Sequence, residues 1–281
     1  MMSMKKIFYI SAIILSAVCL AACDSFLDTE SLTKKNTGNF PKNETDAKQM
    51  IAGIYAIMND NIADPECDPF YVFEMAGDDR LGGGSQSNIG AQSCDRIMND
   101  IIDKFKPFWE SRYAGIFRAN NAIATIDNVT EWSNTAVKDQ LLGEAYILRA
   151  FYYYILTNVF NGVPYYTEMV ATQDDLARIR LLPRTDANEI RRLLYQDLET
   201  NVLPCYSEEK GNILRGSSVK EQRVGYAMAL MLMAKFAMWY QDWDAALMPL
   251  RKLEALYGEL TEASYPLEKT MWRYPNTDES I

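Results

Sequence analysis

The chain has 281 residues, 28 Lys+Arg against 38 Asp+Glu, a formal net charge of −10 and no histidine. A composition that is 48% hydrophobic and 23% charged is that of a packed globular protein and excludes a disordered or fibrous chain. The acidic balance argues against a nucleic-acid footprint, and the missing histidine removes Ser-His-Asp and Cys-His triads, zincin helices and any histidine pH switch.

The first residues read as a targeting segment. Lys5 and Lys6 give a short positive region, and residues 7–20 form an apolar run shorter than the roughly 20 residues of a membrane span. The run ends in Leu20-Ala21-Ala22-Cys23, which is similar to the lipobox of bacterial lipoproteins. That resemblance implies cleavage before Cys23, a diacylglyceryl thioether on its sulfur and acylation of its new amine. Residues 1–22 are then a lipoprotein signal peptide; a simple secretory cleavage is the alternative. Several acyl chains anchor a protein stably where one holds it only marginally. Cys19 leaves with the leader, so Cys67, Cys94 and Cys205 remain beside the lipidated Cys23. In an oxidising compartment Cys67 and Cys94 can form a disulfide, the alternative being two inert thiols. No C-x-x-C spacing points to metal or redox work.

Residues 23–43 are polar, rich in Thr, Asn and Lys, and read as a tether. Ala47, Met50, Ile51, Ile54, Tyr55 and Met58 recur at helical spacing, with Thr45 or Asp46 as the cap. From Asn61 to about Ile102 the periodicity disappears among Pro65, Pro69 and Gly82-Gly83-Gly84. A loop of that length inside a compact domain is functional or disordered, and Phe70, Tyr71 and Phe73 favour an ordered, functional one. Gly82-Gly83-Gly84 lacks the Lys-Ser/Thr of a phosphate loop, and no metal or cofactor is expected.

Helical spacing resumes from Lys104 to about Asp127, with Trp109 and Tyr113 on an apolar stripe as core residues. A helix from about Ala136 to Phe160 carries two apolar stripes and is expected to be buried on two sides, stopping at Gly162 and Pro164. Asp186, helped by Glu189, caps a helix through about Leu203. Residues 224–240 form a buried core helix, and Asp242 opens another through Tyr257, ended by Gly258. No strand period of any length is present. The fold class is all-α, with tetratricopeptide-like antiparallel helix pairs and one long loop; residues 44–281 form the helical-repeat domain, with residues 226–256 its best single repeat.

Several motifs occur in a recognisable order: Cys23-Asp24-Ser25-Phe26-Leu27-Asp28; Trp109-Glu110-Ser111-Arg112-Tyr113 followed by Arg118-Ala119-Asn120-Asn121; Gly143-Glu144-Ala145-Tyr146-Ile147-Leu148-Arg149-Ala150-Phe151; Gly162-Val163-Pro164; and Pro183-Arg184-Thr185 with Asp197-Leu198-Glu199. Together they resemble the SusD/RagB family of nutrient-uptake outer-membrane lipoproteins. Glu221-Gln222-Arg223 stands where that family usually has Gly-Arg, and the length matches the family's N-terminal half. The resemblance implies a surface-exposed, lipid-anchored outer-membrane protein that captures glycans for a TonB-dependent, SusC-like transporter and is not an enzyme.

Sugar recognition needs aromatic faces beside planar polar groups. In the long loop Phe70 and Tyr71 supply faces, and Asp78, Asp79, Arg80 and Asn88 supply hydrogen-bonding partners. The competing structural role has Phe70 and Phe73 pinning the loop while Asp79 pairs with Arg80. Two other functions stay open: a helical scaffold contacting only the transporter, and a carboxylate glycosidase using Glu74 with Asp78 or Asp79.

Overall fold

The computed structural model describes residues 40–59, 105–207 and 223–258. The chain divides into two units, residues 1–40 and 41–281; the description that follows concerns the second. Its helices are α1 (Glu44–Asn59), α2 (Phe105–Thr125), α3 (Thr135–Phe160), α4 (Gln173–Arg180), α5 (Ala187–Asp197), α6 (Tyr226–Trp239) and α7 (Trp243–Tyr257). The all-α expectation holds, and none of these helices is long and apolar enough to cross a membrane.

Helix α3 packs against α1, α2, α5 and α6, which is why it needed two apolar stripes. Leu141, Ala145, Leu148 and Tyr152 are buried along one, and Tyr153 and Leu156 on the other. Side-chain pairs give the directions. Phe108 meets Phe160 and Asn120 meets Arg149, so α2 and α3 are antiparallel. Arg112 reaches Ile57 while Thr125 reaches Met50, so α1 and α2 are antiparallel too. At Gly115 the α2 backbone lies so close to α3 that a Cβ would stand 2.4 Å from the Tyr152 ring. Gly143 serves Tyr206 the same way, at 2.5 Å, which offsets the helix-weakening cost of a mid-helix glycine.

The ends of the helices hold the differences from the sequence reading. The first cap is Asn43, whose Oδ1 accepts the Asp46 N–H at 3.0 Å, rather than Thr45 or Asp46. Glu44 instead ties α1 to the α2–α3 connection, accepting from Ser133 N and Oγ at 2.8 and 2.6 Å and from Lys48 at 2.6 Å. These donors hold its carboxyl down at about 2. Asn161, not Gly162, takes the positive φ, 60°, after α3. Arg184 donates to the Phe160 and Gly162 carbonyls at 3.0 and 2.9 Å, filling acceptors that a helix end leaves open.

Several short elements carry no periodic signal. Val163–Pro164 (β1) pairs antiparallel with Arg184–Thr185 (β2), a two-residue bridge with no room for a strand period. Between them lies α4, closed by a Thr172/Asp175 capping box and without a single buried residue, so it has no core stripe to read. The helix begun at Asp186, whose side chain does cap Asn188 and Glu189, is regular only to Asp197. A π turn follows over Leu198–Val202 and a 3-10 turn over Leu203–Cys205, because Pro204 has no N–H with which to continue an α ladder.

The last hairpin contains a matched pair of defects. Pro249 stands inside α7, and its missing N–H leaves the Ala245 carbonyl without its helical donor. Tyr195 of α5 fills the gap, donating its hydroxyl to Ala245 O at 3.0 Å. Tyr195→Phe should therefore cost about 1 kcal/mol in urea unfolding, and clearly less in a Pro249→Ala background, where the helix supplies its own donor. Equal costs in both backgrounds would contradict this pairing.

Candidate functional site

The expected contact residues Phe70, Tyr71, Asp78, Asp79, Arg80 and Asn88 lie outside the described residues. So do Glu74, Cys67, Cys94 and Cys23. What the structure describes is the frame to which that loop is joined, at Asn59 and at Phe105. Antiparallel pairing of α1 and α2 brings both junctions to one end of the pair.

That end is pinned by side chains reaching the backbone of α1. Arg118 donates to Gly53 O at 2.6 Å, Tyr152 to Ile54 O at 2.7 Å and Arg112 to Ile57 O at 3.5 Å. Arg112 is 1% exposed, and its guanidinium lies over the Phe108 ring at 4.8 Å. A buried cation aimed at the last turn of a helix meets the negative end of its dipole, so charge and geometry agree. The exit of α1 is thereby fixed in register with α2 and α3.

The start of α2 forms an aromatic wall beside this exit. Trp109 meets Phe160 edge-on at 4.9 Å and Tyr113 at 4.8 Å; Tyr113 stacks on Tyr166 at 6.3 Å. Arg184 lies 5.7 Å from the Trp109 ring centre, and the Tyr113 hydroxyl donates to Pro164 O at 2.6 Å. Trp109 and Tyr113 are partly buried against the core, as their stripe implied. Burial pushes the Tyr113 hydroxyl up and lifts Tyr165 and Tyr166 to about 12, so all three remain neutral hydrogen-bonding groups at ordinary pH. Among the described residues no group of three His, Cys, Asp or Glu could hold a metal ion.

Two charges on α3, Glu144 and Arg149, are buried. Arg149, 3% exposed, donates to Asn120 Oδ1 at 2.9 Å, to Thr167 O at 3.3 Å and to Asp197. It joins α2, α3, the segment after β1 and the end of α5. Glu144 is wholly buried and takes a two-pronged contact from Arg223 at 2.8–3.0 Å, with Tyr55 and Gln140 at 2.9 and 3.0 Å. Arg223 stands three residues before α6 and ties the entrance of that helix to α3. A usable signal existed: a charge between two apolar stripes must be buried, and a buried charge must have a partner.

Comparison with known proteins gives this fold a family. A family model described as starch-binding, associating with the outer membrane, matches residues 25–202, and the chain belongs to this SusD-like family. SusD-like protein P38 of Formosa agariphila is 30% identical over 202 residues, covering 71% of this chain and 37% of the relative. SusD-like protein P25 of the same organism is 26% identical over 236 residues, covering 80% and 42%. The chain thus spans about two fifths of the length of these curated relatives. Among solved structures, a laminarin-binding SusD-like protein superposes with a TM-score of 0.62 at 23% identity, covering 79% of this chain and 45% of that one. Surface glycan-binding protein A from Bacteroides uniformis gives 0.59 at 20% identity, covering 82% and 51%. At these identities the superpositions establish the fold.

The Arg149 cluster yields the sharpest stability test. Arg149→Ala removes the cation from a mostly buried Asp197 and the donor from Asn120 Oδ1, and should cost about 3 kcal/mol or more in denaturant unfolding. A loss below about 1 kcal/mol would mean that the cluster is not holding these elements together.

Proposed function

We propose that this chain is a glycan-binding lipoprotein of the outer-membrane surface, capturing oligosaccharides for a TonB-dependent transporter without chemically altering them. The observation that carries this reading is the family match over residues 25–202, whose description is starch-binding and outer-membrane association. Solved relatives described as laminarin-binding and glycan-binding support the same ligand class. The long loop joined to the pinned ends of α1 and α2 is the proposed contact region. Phe70 and Tyr71 offer aromatic faces there, while Asp78, Asp79, Arg80 and Asn88 offer hydrogen bonds to vicinal hydroxyls.

The proposed anchor is Cys23, carrying lipid after removal of residues 1–22. For the transporter contact, α6 and α7 offer a surface of suitable character. Trp239 and Trp243 are 50% and 62% exposed, with Met238, Leu247 and Leu250 also exposed on the same hairpin. Apolar exposure of this kind accompanies protein association more than free solvation.

Calorimetry of the whole chain against soluble glycans, laminarin among them, tests the binding reading. At least one glycan should bind, with Tyr71→Ala or Arg80→Ala weakening it about tenfold, or about 1.4 kcal/mol. Unchanged affinity in both variants removes those residues from the site. New reducing ends would instead favour Glu74 with Asp78 or Asp79 as a glycosidase pair, and co-purification with a transporter without glycan affinity would favour the scaffold. Cells grown with labelled palmitate should label the protein and leave Cys23→Ala unlabelled; an unlabelled native protein refutes the anchor.

A further inference from the structure

Helix α7 has two faces. Ala246 and Pro249 are buried, while Trp243, Leu247 and Leu250 are exposed at 62%, 43% and 38%. Spacings of four and then three residues put these three on one stripe, and Glu254 follows on the same line a turn later. Asp244 and Arg251, two turns apart, flank one side of that stripe.

Exposed charges elsewhere are matched within the chain, Lys48 with Glu44, Lys138 with Asp127 and Arg178 with Glu168, at 2.5–2.7 Å. Asp244, Arg251 and Glu254 differ: among the described residues their side chains enter no hydrogen bond or ion pair. An apolar stripe bordered by unmatched charges of both signs is a surface suited to association.

We propose that this face of α7 is a self-association surface, on which two copies of the chain pair through antiparallel α7 helices about a two-fold axis. With the axis midway between Leu247 and Leu250, each Leu247 meets Leu250 of the other copy. Trp243 then comes level with Glu254 of the other copy, whose carboxylate can accept the indole N–H. In an antiparallel helix pair each flank meets the equivalent flank. Asp244 therefore falls within about 3 Å of level with Arg251 of the other copy, well inside the reach of an arginine side chain. The charges select a second copy over a foreign partner, because opposite signs stand at positions that exchange under the two-fold. The stripe is narrow, so the association belongs in the micromolar range. The same hairpin is the proposed transporter contact, and a second copy and a transporter exclude each other there.

Sedimentation velocity of the whole chain over a concentration series tests this with purified protein alone, so the result does not depend on whether a transporter binds. The native chain should pass from monomer to dimer as concentration rises. Asp244→Arg and Arg251→Asp each bring like charges together twice, and each should weaken the dimer at least about tenfold. Mixed in equal amounts, the two variants present opposite charges to each other and should recover native-like association as a heterodimer. Circular dichroism checks that both fold; should either fail, Leu247→Lys decides and should be monomeric where the native chain is dimeric. A native monomer at every concentration, a dimer undiminished in the folded variants, or a mixture no more associated than its components overturns the proposal. A native monomer would leave the face to the transporter or to residues 259–281.

Discussion

Glu144 and Arg149 stand on the one helix that touches α1, α2, α5 and α6, and both are out of contact with bulk water. An ion taken from water costs several kcal/mol unless its partners are in place. Their partners lie 29 to 89 residues away in sequence, at Asn120, Asp197, Tyr55 and Arg223. Apolar burial alone would let neighbouring helices slide by a turn at modest cost. These charges do not, because a slid helix leaves a carboxylate or guanidinium stranded. The pins from Arg112, Arg118 and Tyr152 onto α1 extend the same logic to the exit of that helix.

Periodicity made the long helices legible. The sequence placed α1, α2, α3, α6 and α7 within a few residues, because each buries enough apolar surface to show a stripe. Helix α4 escaped for the converse reason: all its side chains are exposed or half-buried, and only local capping holds its ends. The β1–β2 bridge is shorter than one period of a strand, and the π turn after Asp197 depends on how Pro204 ends the ladder. Helix ends differ by one to three positions, falling at Asn43 and Asn161, where short polar side chains compete closely with their neighbours.

The candidate site divides differently. Its frame was legible in outline, since Trp109 and Tyr113 read as core and pack, partly buried, against it. The partners of the buried charges were not, because a Glu or Arg in an apolar helix announces that it needs a partner without saying which. The proposed glycan contacts belong to a loop whose aromatic and carboxylate residues have no periodicity to order them. Family membership bears on the proposed ligand class, while the identity of each proposed contact is a matter of loop chemistry that helical periodicity does not reveal.

The central claim is that a rigid helical frame presents the loop between α1 and α2 to a glycan. Hydrogen exchange across the whole chain, with and without a bound oligosaccharide, addresses it most directly. Ligand should slow exchange in peptides from residues 60–104 and in the last turn of α1, leaving α6 and α7 unchanged. Protection confined to α6 and α7, with the loop unaffected by saturating glycan, would contradict the account.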